Sequence, residues 1–112
     1  MDNKAWAQEV AKKIKEKELA VAKRNVGKVP YTAENGVFND CSGKEIGWWT
    51  NGFWGGMMWQ LYKATGEEIY RENAEETEEK LDAALNNYWV MDHDSGFRWL
   101  PTSVAKYRLT GD

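Results

Sequence analysis

The sequence predicts an all-α fold built from stacked helical hairpins. Apolar residues recur at helical spacing along most of the 112 residues, and glycines stand where the periodic stretches end. The pattern Tyr-x-x-Thr-Gly-acid occurs twice, at Tyr62–Glu67 and about 45 residues later at Tyr107–Asp112. Repeats of this period are typical of hairpins that bury one another's apolar faces. A chain of this length forms one domain at most.

An amphipathic first helix is predicted, ending near Gly27, because apolar residues recur among lysines and glutamates. Its apolar positions are Trp6, Val10, Ile14, Leu19 and Val21. The periodicity then fails between Asn25 and Gly47, where glycines and a proline interrupt the chain. We expect a long irregular connection there, with turns at Asn35-Gly36 and Ser42-Gly43. Long structured loops in compact domains are often functional.

A second helix is predicted after Thr50 or Asn51, either of which is a suitable N-cap, and it should end at Gly66. It is apolar on most sides, which predicts that it is buried. Its large apolar residues include Phe53, Met57, Met58, Leu61 and Tyr62.

Two more helices complete the prediction. The third should begin at Glu67, with the acidic run EETEEK on its solvated side. Its inward positions are expected to be Tyr70, Ala74, Thr77, Leu81, Ala84 and Tyr88. The fourth should lie between Ser95 and Thr110, with Pro101 near its start or kinking it. Its inward positions are expected to be Phe97, Leu100, Val104 and Leu109.

Composition excludes several classes of function. The net charge of −3 gives no basic footprint for nucleic acid, and no apolar run is long enough to span a membrane. One histidine and one distant cysteine form no metal-ligand set, so we expect neither a metal nor a cofactor. The single cysteine, Cys41, cannot form an internal disulfide, and the first ten residues lack the pattern of a signal peptide. A cytoplasmic location is therefore expected.

Four stretches together carry a family resemblance: IGWWTNGFWGGMMWQLY, LYKATGEEIYRENAEE, MDHDSGF and the closing YRLTGD. They resemble the N-terminal part of glycoside hydrolase family 88, the unsaturated glucuronyl hydrolases, over nearly the whole chain. The resemblance implies that residues 1–112 form the first part of a single (α/α)6 barrel domain, truncated after Asp112. The unsaturated rhamnogalacturonyl hydrolases, which share that barrel, are the nearest competing assignment.

The resemblance also implies an activity. The substrates would be oligosaccharides released by polysaccharide lyases, which end in a uronic acid with a C4=C5 double bond. The enzyme would hydrate this bond, which differs from the usual displacement by two carboxylates. Asp94 matches the first of two important aspartates in the family, and the second would lie beyond Asp112. The isolated chain is therefore expected to be inactive.

Three residues are expected to form the site. Asp94 would be catalytic, although an aspartate before Ser95 is also a suitable helix cap, and the two roles are compatible. His93 matches a substrate-contacting histidine, although a lone histidine more often has a structural role. Trp49 matches the position whose ring stacks on the sugar. The other rings of this segment are expected to form core and wall: Trp48, Phe53 and Trp54.

Two other classes of function stay open at this point. The chain could be a non-catalytic module that binds uronic acid through Trp49, His93 and Asp94. Such a module would show saturable affinity without product. It could instead be a helical fragment whose exposed apolar faces drive self-association. That fragment would change mass with concentration and would be indifferent to sugar.

Overall fold

The computed structural model describes residues 2–86 and 88–112, and most of them are helical. The three long helices are α1 (Asn3–Arg24), α2 (Asn51–Thr65) and α3 (Glu68–Asn86). A final helical segment consists of α4 (Ser95–Trp99), a π-helical turn (Leu100–Val104) and α5 (Ala105–Thr110). The remaining elements are two short strands, β1 (Ala33–Glu34) and β2 (Val37–Phe38), and a 3-10 turn (Tyr88–Val90). The predicted all-α class is confirmed apart from this small hairpin.

Helix α1 is amphipathic only in part. The Asp2 carboxylate caps it by accepting the Ala5 N–H at 2.7 Å. Its buried residues lie near the C-terminal end, at Val21 and Ala22, whereas Trp6 is 59% exposed. The predicted apolar side is therefore wrong for the first half of the helix, because α1 contacts α3 and the α2 region mainly through its second half. Within the described residues no helix combines the length and the apolar character that a membrane span requires.

The connection between α1 and α2 contains the antiparallel pair β1–β2. Asn35 and Gly36 both have positive φ, at 50° and 78°, which is the backbone of a type I′ hairpin turn. The turn predicted at Asn35-Gly36 is confirmed. The prediction of an irregular connection is wrong only at residues 33–38, because this turn pairs the two residues on each side of it.

The two copies of the Tyr-x-x-Thr-Gly-acid pattern form the same helix end. At Tyr62–Glu67 and Tyr107–Asp112 the glycine has a left-handed backbone conformation, with φ of 72° and 79°. Its N–H donates to the carbonyl of the tyrosine at 2.7 and 2.8 Å. The threonine hydroxyl donates to the preceding turn and accepts the N–H of the acidic residue. The repeat is therefore a helix stop, with the glycine relieving the strain of the left-handed backbone.

The core lies mainly between α2 and α3. Trp59 is fully buried, and its indole N–H donates to Glu78 at 2.8 Å. The other core residues in this cluster are Val21, Ala22, Trp54, Met58, Leu61, Tyr70 and Ala74. The predicted burial of α2 holds on the faces that meet α3 and α4. It is wrong at Phe53 and Met57, which are 40% and 45% exposed.

Glycines on α2 allow the final helical segment to approach closely. A Cβ atom at Gly52 would lie 2.3 Å from the Phe97 carbonyl oxygen. The same addition at Gly55 would meet Thr102, and at Gly56 it would meet Pro101. Since real Cβ atoms do not come this close to other atoms, the contact requires residues without side chains. The glycines near the tryptophans thus serve helix packing.

The inward side predicted for the fourth helix is wrong at three of its four positions. Phe97 and Leu100 are 46% and 63% exposed, whereas the fully buried residues are Arg98 and Thr102. Leu109 is exposed as well. The reason is that the α2 glycines select which side of the segment makes contact, and they accept Arg98 and Thr102.

Two further predictions concern the ends of these helices. Pro101 lies within the π-helical turn, where its missing N–H interrupts the α-helical hydrogen bonds, so the kinking alternative applies. The prediction that Tyr88 lies on the inward side of the third helix is wrong, because α3 ends at Asn86 and Tyr88 is 69% exposed.

Candidate functional site

Two loops meet where α2 and α4 begin. The first loop runs from residue 25 to 50, and the described part of the second runs from 88 to 94. Gly52, near the start of α2, lies against the backbone of Phe97 and Arg98 in α4. The N-terminal ends of both helices therefore lie side by side. The last residues of each loop, which directly precede these helices, lie at the same end of the molecule.

Arg98 fastens the two loops together. Its side chain is fully buried, and one nitrogen, Nη1, donates to the Gly47 carbonyl at 2.8 Å. The other, Nη2, donates to the Val90 carbonyl at 2.8 Å and to the Ser95 hydroxyl at 2.9 Å. The same nitrogen lies 3.4 Å from Asp92. A planar guanidinium with several fixed donors is suited to holding carbonyls from separate segments.

Trp49 is held at the edge of an aromatic cluster. Its ring centroid lies 5.8 Å from Phe53 and 5.7 Å from Phe97, both in edge-on arrangements. Phe53 and Phe97 contact each other at 5.9 Å. Trp49 is still 37% exposed, so part of its ring is free to contact a ligand.

His93 and Asp94 lie on the second loop, immediately before α4. His93 Nε2 is 3.5 Å from Asp94 Oδ2. The His93 side chain is 90% exposed and that of Asp94 is 29% exposed. Asp94 occupies the N-cap position of α4, but its side chain makes no capping hydrogen bond. The alternative prediction, that this carboxylate caps the helix, is therefore wrong.

Asp92 shapes this loop, and the sequence prediction did not single it out. Its Oδ1 accepts the Asp94 N–H at 3.0 Å and also faces Arg98. The Ser95 hydroxyl accepts the Asp92 N–H at 3.0 Å and donates to the Asp92 carbonyl at 2.8 Å. The signal that could have revealed this turn is the spacing Asp-x-x-Ser, because both side chains bond readily to nearby backbone.

A cleft of about 440 Å³ opens between the two loops. Its lining residues are Tyr31, Cys41, Lys44, Glu45, Gly47, Trp48, Val90 and Asp92. None of the three predicted site residues lines it. Trp48 is nevertheless next to Trp49, with ring centroids 6.4 Å apart, so the cleft adjoins the aromatic cluster. The other two rings that are expected to form core and wall differ in burial. Trp54 is buried, and Phe53 is partly exposed.

Asp40 organises the first loop around this cleft. Its Oδ1 accepts the N–H groups of Val29 and Ser42, both at 3.0 Å. Its Oδ2 accepts the Ser42 hydroxyl at 2.8 Å. Burial acts to raise the pKa of the Asp40 carboxyl, but the hydrogen bonds from Val29 and Ser42 outweigh it and lower the pKa from its ordinary value.

Asp40→Asn is expected to lower the free energy of unfolding at pH 7 by less than about 1 kcal/mol, because the carboxylate is largely exposed. A lowered pKa in the folded state stabilises the fold fully above the unfolded-state pKa of about 3.9. That contribution is lost as the pH falls through the lower, folded-state pKa. Urea unfolding of both proteins from pH 7 to pH 2 should show the difference shrinking below about pH 4. A difference in free energy of unfolding that stays constant over this range would contradict the lowered pKa of Asp40. The control is Asp82→Asn, on α3.

Metal ligands are not clustered in the described ranges. No group of three or more histidine, cysteine, aspartate or glutamate side chains is placed to hold a metal ion in residues 2–86 and 88–112. Within these residues, the charged contact of His93 is with Asp94.

Comparison with known proteins gives relatives of one kind. The chain is 37% identical over 65 residues to the unsaturated glucuronyl hydrolase of Bacillus sp. (strain GL1), which covers 57% of this chain and 17% of the relative. It is 35% identical over 65 residues to the unsaturated chondroitin disaccharide hydrolase of Streptococcus agalactiae serotype III, covering 57% and 16%. The enzyme of that name from Streptococcus pneumoniae is 32% identical over 65 residues, with the same coverage.

These matches are partial. The aligned region spans about a sixth of the length of the curated relatives. No family model matches the chain, and no solved structure matches it. Since the relatives named above are unsaturated glucuronyl or unsaturated chondroitin disaccharide hydrolases, the resemblance of this chain to the unsaturated glucuronyl hydrolases of glycoside hydrolase family 88 is confirmed.

Proposed function

We propose that this chain forms the uronate-binding part of a hydrolase that removes a terminal Δ4,5-unsaturated uronic acid from oligosaccharides. The names of the relatives support the reaction class. The observation that carries the proposal is the junction made by Arg98, which binds Gly47 in one loop and Val90 in the other. This junction places Trp49 and the pair His93 and Asp94 at the same end of adjacent helices.

Each of the three residues has a role that fits its surroundings. The exposed part of the Trp49 ring offers a flat apolar surface for the CH-rich face of a sugar. His93 is exposed and able to donate a hydrogen bond to the uronate carboxylate or to a hydroxyl. The Asp94 carboxylate, which caps no backbone amide, remains available to accept hydrogen bonds from a sugar hydroxyl or from a water molecule.

The proposed reaction is hydration of the C4=C5 double bond. A proton is added at C4, and the hydroxyl of water is added at C5, the carbon that bears the ring oxygen. The product is a hemiketal, which opens and releases the remaining sugar. Asp94 would orient the attacking water or accept its proton, as a general base does. In this proposal the described helices are the first hairpins of an (α/α)6 barrel that the longer relatives complete.

The test is the ultraviolet absorbance of the conjugated double bond in an unsaturated uronyl disaccharide. The purified chain and a version extended past Asp112 are each mixed with the disaccharide, and both absorbance and binding are followed. Binding that Trp49→Ala abolishes is the expected result for the 112-residue chain, and loss of the absorbance band is expected in the version extended past Asp112. Binding without any loss of the band in the extended version would favour the non-catalytic module instead. Absence of both would overturn the proposal.

In a complete enzyme that contains this chain, Asp94→Asn is expected to lower the turnover number on the order of a hundredfold, because general acid–base groups typically contribute that much or more. The fold should survive, since the Asp94 side chain makes no capping bond. Initial rates from the absorbance assay and the thermal midpoint are measured together, with Asp2→Asn as a control that affects only the cap of α1. Full activity of Asp94→Asn would remove this residue from the mechanism.

A further inference from the structure

The turn before α4 contains two aspartates with different hydrogen bonds. The Asp92 carboxylate accepts the Asp94 N–H at 3.0 Å, and the Asp92 carbonyl accepts the Ser95 N–H at 3.2 Å. The Asp94 carbonyl accepts the Phe97 N–H at 3.0 Å. An aspartate at an N-cap position ordinarily uses its own carboxylate to bind one of the first helical amides. Here Asp92 and the backbone bind the amides of this turn, and the Asp94 carboxylate makes no capping bond.

Asp92 is itself held by groups from α4. Its Oδ1 lies 3.4 Å from Nη2 of Arg98, whose side chain is fully buried. The Ser95 hydroxyl accepts from the same Nη2 at 2.9 Å and donates to the Asp92 carbonyl at 2.8 Å. The Asp92 side chain is 47% exposed, so it fills no space in the core. Its contribution is therefore to fix the turn in which Asp94 lies.

The backbone of Asp94 is bound on both sides, at its N–H by Asp92 and at its carbonyl by Phe97. This fixes the direction in which the Asp94 side chain leaves the chain, with Oδ2 3.5 Å from the exposed His93. Without the Asp92 carboxylate, the Asp94 N–H loses its acceptor and the turn is less restrained. The Asp94 carboxylate is then able to rotate onto the start of α4, where negative charge is favoured. A carboxylate bound there is not available to a sugar.

We propose that Asp92 is a positioning residue that acts through Asp94, by keeping the Asp94 carboxylate on the side of His93 and away from the amides of α4. This role rests on the proposed function, in which Asp94 binds the sugar. It depends on an acceptor oxygen and not on a charge, because an amide oxygen accepts the Asp94 N–H as well as a carboxylate does. Asp92→Asn should therefore preserve the site, and Asp92→Ala should impair it.

The first test needs no ligand. The amide signals of Gly96 and Phe97, which a capping carboxylate at Asp94 would bind, are compared in 15N-labelled chains. In Asp92→Ala at least one of these signals should move downfield as Asp94 caps α4. The shift should be absent from Asp92→Asn and from the double variant Asp92→Ala, Asp94→Ala. Unchanged Gly96 and Phe97 signals in Asp92→Ala would overturn the inference.

The second test is binding of an unsaturated uronyl disaccharide by the same chains. Asp92→Ala should weaken binding about tenfold, as expected for loss of one hydrogen bond to a charged group. Asp92→Asn should bind as the unmodified chain does. Because Asp92 acts through Asp94, Asp92→Ala should have no further effect on affinity in an Asp94→Ala background. A second tenfold loss in that background, or equal losses in Asp92→Asn and Asp92→Ala, would contradict the role assigned to Asp92.

Asp2→Ala is the matched control. The Asp2 carboxylate also accepts a backbone N–H at a helix start, that of Ala5 at 2.7 Å, but it lies at the start of α1. This change should lower the free energy of unfolding and leave the disaccharide affinity unchanged. The two tests also fail separately. If the unmodified chain binds no disaccharide, the proposed function is wrong, whereas the ligand-free amide signals still decide whether Asp92 keeps Asp94 from capping α4.

Discussion

Gly52→Ala is expected to destabilise the fold by about 3 kcal/mol, the upper end of the usual cost of overpacking. The added Cβ would lie 2.3 Å from the Phe97 carbonyl oxygen, 2.5 Å from that of Arg98 and 2.7 Å from the Arg98 Cα. All three atoms belong to backbone, so no side-chain rotation relieves the clash. Helix α4 would have to move away from α2, and the hydrogen bonds that Arg98 makes to both loops would be strained with it.

Gly96→Ala is the matched control for this effect. Gly96 is also a helical glycine at the start of α4, but a Cβ there would meet nothing closer than Leu100 Cδ1 at 3.5 Å. Since alanine favours helix over glycine by about 1 kcal/mol, this change should stabilise the fold slightly. Urea unfolding of the three proteins is the measurement. Equal stability of Gly52→Ala and Gly96→Ala would show that α2 and α4 do not pack as closely as described.

The helices were largely predictable because their signals are local. Apolar spacing located α1, α2 and α3, and the Thr-Gly pairs marked two helix ends that prove to share one geometry. Which side of the last helical segment is buried was not predictable in this way. Its orientation depends on Gly52 and its neighbouring glycines in α2, which are distant in sequence and select Arg98 and Thr102 instead of Phe97.

In the candidate site, too, the residues marked by local sequence were predictable and those that depend on distant contacts were not. Trp49, His93 and Asp94 were found through short blocks of sequence that resemble a family. Arg98 was missed because a charged residue inside an apolar stripe suggests a solvent-facing position, and nothing local shows that two distant loops supply its acceptors. The cleft beside Trp48 was missed because its lining residues come from irregular segments, where no periodicity relates one residue to another.

Arg98→Met is expected to cost at least about 3 kcal/mol, because hydrogen bonds from a charged donor contribute about 1.5–3 kcal/mol each and Arg98 donates to two carbonyls. Methionine fills a similar volume but donates no hydrogen bonds. The carbonyls of Gly47 and Val90 would lose the donors that now lie 2.8 Å away, and an unpaired buried acceptor costs about 1–3 kcal/mol. Because these carbonyls belong to different loops, we also expect the positions of Trp49 and Asp94 relative to each other to become less well defined. Urea unfolding gives the cost, and the chemical shifts of the tryptophan indoles report the loops.

Arg98→Lys separates the charge of Arg98 from its shape. Lysine keeps the positive charge beside Asp92 but cannot reach two separate carbonyls with a rigid fork. We therefore expect Arg98→Lys to fold and to lie between Arg98→Met and the unmodified chain in stability, with altered loop signals. Arg108→Met, at an exposed position in α5, should change stability by less than about 0.5 kcal/mol. Unmodified loop signals in Arg98→Lys would mean that charge alone holds the loops, and the geometric role assigned to the guanidinium would then be wrong.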